Sequence, residues 1–204
     1  FLGTTGDGDM VIFASTGSNT HTIDLAENYT HATDVYFDFS GAVTISTGNA
    51  STWTNNSPLE IYGLDDTFSV DVTNNNLLRI EARYLLNSNG VFTNGLTNTG
   101  TGVLNLGDNG NGYASTLTIS GGDLINTGTI LSNGVSGGRT IDAQVINTTI
   151  NGDVGYIDVD VGLTINNSGR VFNQLDGVVD VSINQDLTIS DGTTQLGKIG
   201  RAHV

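Results

Sequence analysis

Short runs in which hydrophobic and polar residues alternate recur along most of this chain. The stretch LTISGGDLINTGTI, residues 117–130, holds two such runs, one before and one after a glycine pair. Alternation with a period of two is typical of β-strands with one buried face. The glycine pair Gly121-Gly122 predicts a turn with positive φ between the two strands. The segment LRIEARYLL, residues 78–86, is the most helix-like, but its place among the repeats favours a strand.

A motif of leucine, a polar residue and usually isoleucine returns along the chain with a period of about 18–24 residues, which is typical of repeat architectures. Its leading residues are Leu59, Leu78, Leu96, Leu117, Leu163 and Leu187, with Thr140 in the equivalent place of one copy. An apolar residue followed by asparagine comes after most copies, at Asn87, Asn105, Asn126, Asn147 and Asn173. This period is too short for a βαβ unit or a propeller blade.

The period fits one coil of a parallel β-helix, an all-β solenoid in which two or three short strands and their turns make each circuit. Stacked coils place equivalent strands about 4.8 Å apart, so their backbone groups are satisfied between coils. The leucines listed above are expected to form a core stack, in which Leu78, Leu117, Leu163 and Leu187 lie above one another. The five asparagines are expected at corners, where stacked amides form a hydrogen-bonded ladder.

The repeats divide the chain into three parts. Residues 41–197 are predicted to form the β-helix array, and residues 1–40 irregular N-terminal coils, a cap or the end of a preceding module. Residues 198–204 are predicted to be a non-native tail, because Ile199–Val204 matches the translation of a common sequencing adapter. With Phe1 in place of an initiating methionine, we expect an internal piece of a longer protein.

Composition supports a folded, turn-rich β protein and limits its partners. The chain has 28 Gly, 28 Thr and 23 Asn among 204 residues, and all three residue types are weak helix formers. Its net charge is −15 with no basic stripe, so nucleic acid is not an expected partner. There is no cysteine, and no apolar run approaches the roughly 20 residues of a transmembrane helix, so no transmembrane segment is expected.

The segments LTNTGTGVLNLG and LTISGGDLINTGTILSNG resemble the passenger repeats of bacterial autotransporters and filamentous-haemagglutinin-type adhesins. The resemblance implies a right-handed, single-stranded parallel β-helix in a secreted, extracellular or surface-displayed bacterial protein. It further implies a non-catalytic structural or adhesive stalk without cofactors. The implied partners are a host-surface or matrix glycan or protein, together with further coils of the same parent chain.

Enzymes that act on polysaccharides and phage tailspikes also use parallel β-helices, so a carbohydrate-active role is the alternative. Glycoside hydrolysis needs paired carboxylates, and the candidates are Asp65-Asp66 and the same-face pair Asp158 and Asp160. A solvated outer face is the simpler interpretation of these acids. An enzyme predicts a groove with clustered acids and bases from neighbouring coils, whereas a stalk predicts scattered charge and uniform coils.

Other candidate residues carry weaker signals. His21 and His31 lie near several acids, but their spacing matches no metal motif, so no metal or cofactor is expected. Arg139 and Arg170 are interpreted as solubilising residues near turns. Ligand contacts are expected from loop residues such as Trp53 and Tyr113. Threonine rows at residues 97–101 and 127–129 leave an ice-binding face as a third, weaker option.

Overall fold

The computed structural model describes most of the chain, and every structural statement below refers to that part. The described residues are 11–15, 21–25, 28–31, 33–39, 43–47, 52–62, 66–82, 88–108, 112–135, 137–174, 176–181 and 186–196. Within them the chain forms strands and turns but no helix. The predicted tail at 198–204, and with it Ile199–Val204, lies outside the described residues.

Most strands are short, as expected for a chain punctuated by glycine and asparagine, and the exceptions are four long strands in the second half. In the first half they are β1 Val11–Ser15, β2 His21–Leu25, β3 Tyr29–His31, β4 Val35–Phe39, β5 Val43–Thr47, β6 Thr52–Asn55, β7 Leu59–Ile61, β8 Asp66–Phe68, β9 Asp71–Asn74, β10 Leu77–Ala82 and β11 Ser88–Phe92. In the second half they are β12 Leu96–Asn98, β13 Val103–Asp108, β14 Ser115–Asn126, β15 Thr129–Ser132, β16 Arg139–Asn147, β17 Thr149–Ile150, β18 Asp153–Val154, β19 Tyr156–Val159, β20 Leu163–Gln174, β21 Val178–Val181 and β22 Leu187–Leu196.

These strands stack as a parallel β-solenoid, which confirms the predicted all-β fold class. The first sheet has eight strands in the order β1-β4-β7-β10-β13-β15-β19-β21. The second sheet has twelve strands, and in it β14, β16, β20 and β22 each span positions that two shorter strands fill in earlier coils. Each circuit of the chain therefore crosses the first sheet once and the second sheet twice.

Register within the first sheet shows which residues of successive coils are equivalent. Leu59 pairs with Leu78, Leu78 with Leu104, Leu104 with Ile130, and Ile130 with Ile157. One aliphatic column therefore runs through five coils on the inner side of this sheet.

The same pairing extends N-terminal of residue 41. In the first sheet β1 pairs with β4 and β4 with β7, while β2 and β3 pair in the second sheet with β5 and β6. The predicted boundary at residue 41 therefore coincides with no change in strand pairing.

The leucines of the predicted stack do not form one column, so that prediction is wrong. Leu59 and Leu78 pair in the first sheet, whereas Leu117 lies in the second sheet between Gly90 and Ile141. The other three also lie in the second sheet: Leu163 pairs with Leu187, and Leu96 with Val72 and Leu124. The reason is that every strand alternates in the same way, so one leucine motif recurs on different sheets. The solenoid survives because several aliphatic columns share one core.

An asparagine ladder runs along one corner of the solenoid. In it the Nδ2 of each amide donates to the Oδ1 of the next over 2.5 to 2.7 Å. The same Nδ2 atoms donate to backbone carbonyls of the following turn over 3.0 to 3.2 Å. The members, all 0% exposed, are Asn55, Asn74, Asn98, Asn126 and Asn147. Asn147 continues the carbonyl contacts with a bond of 3.2 Å to Val178.

The ladder also gives the length of each coil. Its consecutive members are 19, 24, 28 and 21 residues apart in the chain. One coil is therefore longer than the predicted period of about 18–24 residues. The strands of the first sheet are all short, so the variation in length lies in the segments between them.

The structure brings only Asn126 and Asn147 of the five predicted asparagines into this ladder. Asn105 is buried in β13 of the first sheet, so its predicted place is wrong. Asn87 lies outside the described residues, as does the side chain of Asn173. The backbone of Asn173 is paired with Ile146, and it is Gln174 that is in register with Asn147.

Gly121 and Gly122 lie within β14 and not in a positive-φ turn, which corrects the sequence prediction. The register to β16 shifts between Thr118 and Asp123, which marks the corner of the coil. Glycine is needed here for space, because a Cβ on Gly121 would lie 1.9 Å from the carbonyl oxygen of Thr93.

A lateral hairpin, β17–β18, interrupts the solenoid between β16 and β19. Its two central residues, Asn151 and Gly152, have φ values of 56° and 92°, which is typical of a type I′ turn. The hairpin leaves and rejoins the coil at Thr148 and Gly155, whose backbone groups are joined by a hydrogen bond of 2.8 Å. In the described part of the chain we find no helix with the length and hydropathy needed to cross a membrane.

Candidate functional site on the outer face of the first sheet

Polar side chains from successive coils gather on the outer face of the first sheet. Alternation buries Leu78 and Ile80 in β10 and turns the side chains of Arg79 and Glu81 outward. Register then aligns Glu60, Arg79 and Asn105 along the axis. The same rule places Glu81 beside Gly107, so the outward positions of three coils become neighbours on this face.

Arg79 links two carboxylates on this face. Its guanidinium Nη1 lies 3.0 Å from Oε2 of Glu60 and 3.7 Å from Oε2 of Glu81. Both glutamates are largely covered, whereas the Arg79 side chain is 31% exposed. The cluster therefore presents one solvent-reachable guanidinium flanked by two acids from neighbouring coils.

A recess of about 260 Å³ opens next to this cluster. It is lined by Arg79, Glu81, Asn105, Gly107, Asn133 and Gly134. Its floor is Gly107, where an added Cβ would lie 3.0 Å from Oδ1 of Asn133 and 3.4 Å from Oδ1 of Asn105. Two amide oxygens therefore converge on the space that Gly107 leaves open.

Asn105 is the most unusual residue of the recess. It is only 6% exposed, and its Oδ1 has no hydrogen-bond partner among the described residues. Buried amide oxygens in proteins are nearly always hydrogen-bonded, because burial removes their contacts with water. This side chain therefore faces the recess with an unused acceptor.

A second polar group lies farther along the same face, where the sequence predicts that Asp158 and Asp160 share a side. Asp158 is in register with Asp180, and the hydroxyl of Tyr156 donates to Oδ2 of Asp180 over 2.8 Å. Burial first, and then Asp160 and Asp180, raise the pKa of Asp158. Burial and the bond to Asp180 raise the pKa of Tyr156 to about 12. Asp158 and Asp160 thus belong to an acidic patch on the solvent side.

Two further candidate residues, Asp66 and Arg139, lie away from this face. Asp66 is buried in the second sheet and accepts a hydrogen bond of 2.9 Å from the backbone amide of Val43, while Asp65 is not described. Arg139 is 1% exposed and donates to the carbonyl oxygen of Asn133, so its interpretation as a solubilising residue is wrong. The side chain of Arg170 lies outside the described part.

Trp53 lies in the core and not in a loop, which corrects its expected role in binding. It is fully buried in β6, with ring centroids 4.5 Å from Tyr29 and 5.6 Å from His31. His31 is also buried, and one ring nitrogen, Nδ1, lies 2.8 Å from the carbonyl oxygen of Thr33. Tyr113 is half-buried outside the strands. The backbone of His21 lies in β2, and its side chain is not described.

No group of three or more histidine or acidic side chains in the described ranges could hold a metal ion. The threonine rows do not form a free flat array either. The hydroxyl groups of Thr99 and Thr101 donate to carbonyl oxygens of Asn74 and Asn75, and Thr127 is buried.

Comparison with protein-family models, with curated proteins and with solved structures found no significant match. The resemblance to adhesin repeats therefore stays a prediction from the sequence, and functional interpretation depends on the geometry of the solenoid and of its outer face.

Proposed function

We propose that this chain is a structural and adhesive stalk segment of a secreted or surface-displayed bacterial protein, without catalytic activity of its own. The observation that carries the proposal is the asparagine ladder, which continues without interruption from Asn55 to Asn147. Together with the aliphatic columns, it ties neighbouring coils to one another on the inside.

This arrangement suits a rod. The eight strands of the first sheet, spaced about 4.8 Å apart, extend for about 34 Å along the axis. Backbone hydrogen bonds between coils lie along that axis and the core is close-packed, so the segment resists bending. Further coils of a parent chain would lengthen the rod by the same increment each.

The test is to display the chain on a non-adherent bacterium, between a membrane anchor and a nanobody. We expect the nanobody to reach an antigen buried in a polymer brush. A glycine–serine linker of about 38 residues has the same mean span of about 34 Å, because a flexible chain of n residues spans about 5–6 Å × √n. It should capture less antigen, because its free end is not held at that distance from the anchor. Equal capture through the linker would refute the stalk role.

A second candidate function is cleavage of a carbohydrate chain. The observation that favours it is the cluster of Glu60, Arg79 and Glu81, which come from neighbouring coils and share one face. Paired carboxylates are the usual apparatus of glycoside hydrolysis.

Polysaccharides incubated with the purified chain should then gain reducing ends or an unsaturated product that absorbs ultraviolet light. The Glu81→Gln variant should abolish this signal. An unchanged substrate panel, with the chain folded by circular dichroism, would exclude the second candidate and leave the stalk proposal standing.

A further inference from the structure

We propose that the recess over Gly107 binds a short segment of a neutral oligosaccharide. This goes beyond the stalk role, which needs no ligand site, and it requires no cleavage. Asn105 supports this proposal, because its side chain lines the recess while its Oδ1 is buried and has no hydrogen-bond partner in the described part of the chain. A ligand that hydrogen-bonds to this atom would satisfy a polar group that the fold leaves incomplete.

The groups around the recess match hydroxyl-rich ligands. Oδ1 atoms of Asn105 and Asn133 converge above Gly107, with Cγ of Glu81 3.9 Å from the position of an added Cβ. Arg79 adds a donor at the rim. A sugar hydroxyl both donates and accepts, so it can pair with an amide in either orientation, and its neighbour can accept from the guanidinium.

The charges disfavour other ligand classes. A metal ion would lie close to the guanidinium of Arg79, which is 3.7 Å from Glu81. An acidic polysaccharide would meet Glu60, Glu81 and a chain of net charge −15. A neutral sugar has no such penalty.

The recess is small and open to solvent. Its volume is about 260 Å³, so it can hold one part of a longer chain. It lies on the open outer face of the sheet, so sugar units on either side of the bound one can extend over the neighbouring coils.

The experiment titrates the purified chain with neutral tetrasaccharides of glucose, xylose, galactose and N-acetylglucosamine, followed by calorimetry and by amide chemical shifts. We expect at least one tetrasaccharide to bind and to shift the amides of Asn105 and Gly107. Gly107→Ala places a methyl group in the recess and should weaken binding at least tenfold. Asn133→Ala should also weaken it. Thr140→Ala, on the second sheet, is the matched control and should leave binding unchanged.

Circular dichroism and Trp53 fluorescence establish that each variant is folded. The proposal is overturned if no tetrasaccharide binds the folded chain at millimolar concentration, or if folded Gly107→Ala and Asn133→Ala bind as the parent does. It is equally overturned if glycerol or glucose competes as well as the tetrasaccharide, if tetragalacturonate binds more tightly, or if Ca²⁺ alone shifts the same amides. None of these results affects the brush experiment, so failure of this site and failure of the stalk role are distinguishable.

Discussion

Replacing Asn98 by alanine removes the central member of the ladder and tests what the ladder contributes to stability. The Asn98 side chain accepts from Asn74 at 2.7 Å, donates to Asn126 at 2.7 Å and donates to the carbonyl oxygen of Thr129 at 3.0 Å. Each buried bond contributes about 1 kcal/mol net, and a buried acceptor left alone costs about 1–3 kcal/mol. The variant should therefore unfold about 3–5 kcal/mol more easily than the parent.

Guanidinium denaturation measures this difference. Far-ultraviolet circular dichroism reports on all coils, whereas fluorescence of the single tryptophan, Trp53, reports on the β6 coil. Agreement of the two transitions indicates cooperative unfolding of the array, without which one free energy is not defined. Asn75→Ala is the matched control, because this neighbouring side chain makes hydrogen bonds at the surface. We expect a cost of about 1 kcal/mol or less for the control.

An Asn98→Asp variant adds a second readout. Aspartate keeps the shape but, when ionised, cannot donate to Asn126, so burial beside acceptors raises its pKa in the folded state. Relative to the parent, the Asn98→Asp variant should be most stable at low pH, where the aspartate is protonated. Its stability should fall as the pH rises from the pKa of aspartate in the unfolded state to the higher pKa in the folded state. A difference of less than about 1 kcal/mol between Asn98→Ala and Asn75→Ala, or an aspartate penalty that is independent of pH, would show that the ladder does not stabilise the fold in this way.

Substitutions at three further positions test other parts of the structure. Trp53→Ala should cost about 3–5 kcal/mol in guanidinium denaturation followed by circular dichroism alone, because the substitution also removes the single tryptophan used for fluorescence. Trp53→Phe should cost much less, because it keeps an aromatic ring in the core and removes a buried indole N–H that has no partner among the described residues. Burial lowers the pKa of His31 below 6.5 despite nearby hydrogen bonds. The contribution of neutral His31 to stability should therefore be fully present above pH 6.5 and be lost as the pH falls below it. Thermal melts at several pH values should show a weaker pH dependence for His31→Gln. Burial, Asp160 and Asp180 raise the pKa of Asp158, so Asp158→Asn should raise the melting temperature at pH 7 but not at pH 3, and an equal gain at both would contradict the like-charge interpretation.

The fold class could be predicted because it depends on properties that each segment carries by itself. Alternation as in LTI and turn residues at every corner specify short strands, and their recurrence specifies stacking. The local sequence does not determine which column of the core a leucine enters. That column depends on the length of the coil, which varies from 19 to 28 residues. Leu78 and Leu117 carry the same motif and nevertheless lie on different sheets.

The asparagine ladder shows that the residues next to an asparagine indicate its position within a coil. Its first three members lie at the ends of second-sheet strands, in TWTN, DVTN and LTN, where each follows a threonine. The predicted signal of an apolar residue before asparagine instead selected Asn105, which faces outward from the first sheet. The recess was not predictable, because its lining residues come from coils whose relative register depends on the lengths of the intervening turns.

The lateral hairpin of residues 149–154 has a consequence for how such chains can diversify. Its two ends are already joined by the bond between Thr148 and Gly155. Ile150 and Val154, one on each strand, are about half exposed, and a Cβ added to Gly152 in the turn would meet nothing within 4 Å. Extra residues at the Asn151-Gly152 tip add only about 0.6 kcal/mol of closure entropy for each doubling in length. Longer segments can therefore be inserted at this tip while the neighbouring coils keep their spacing. This corner is a site at which insertions can add new surface residues without disturbing the solenoid.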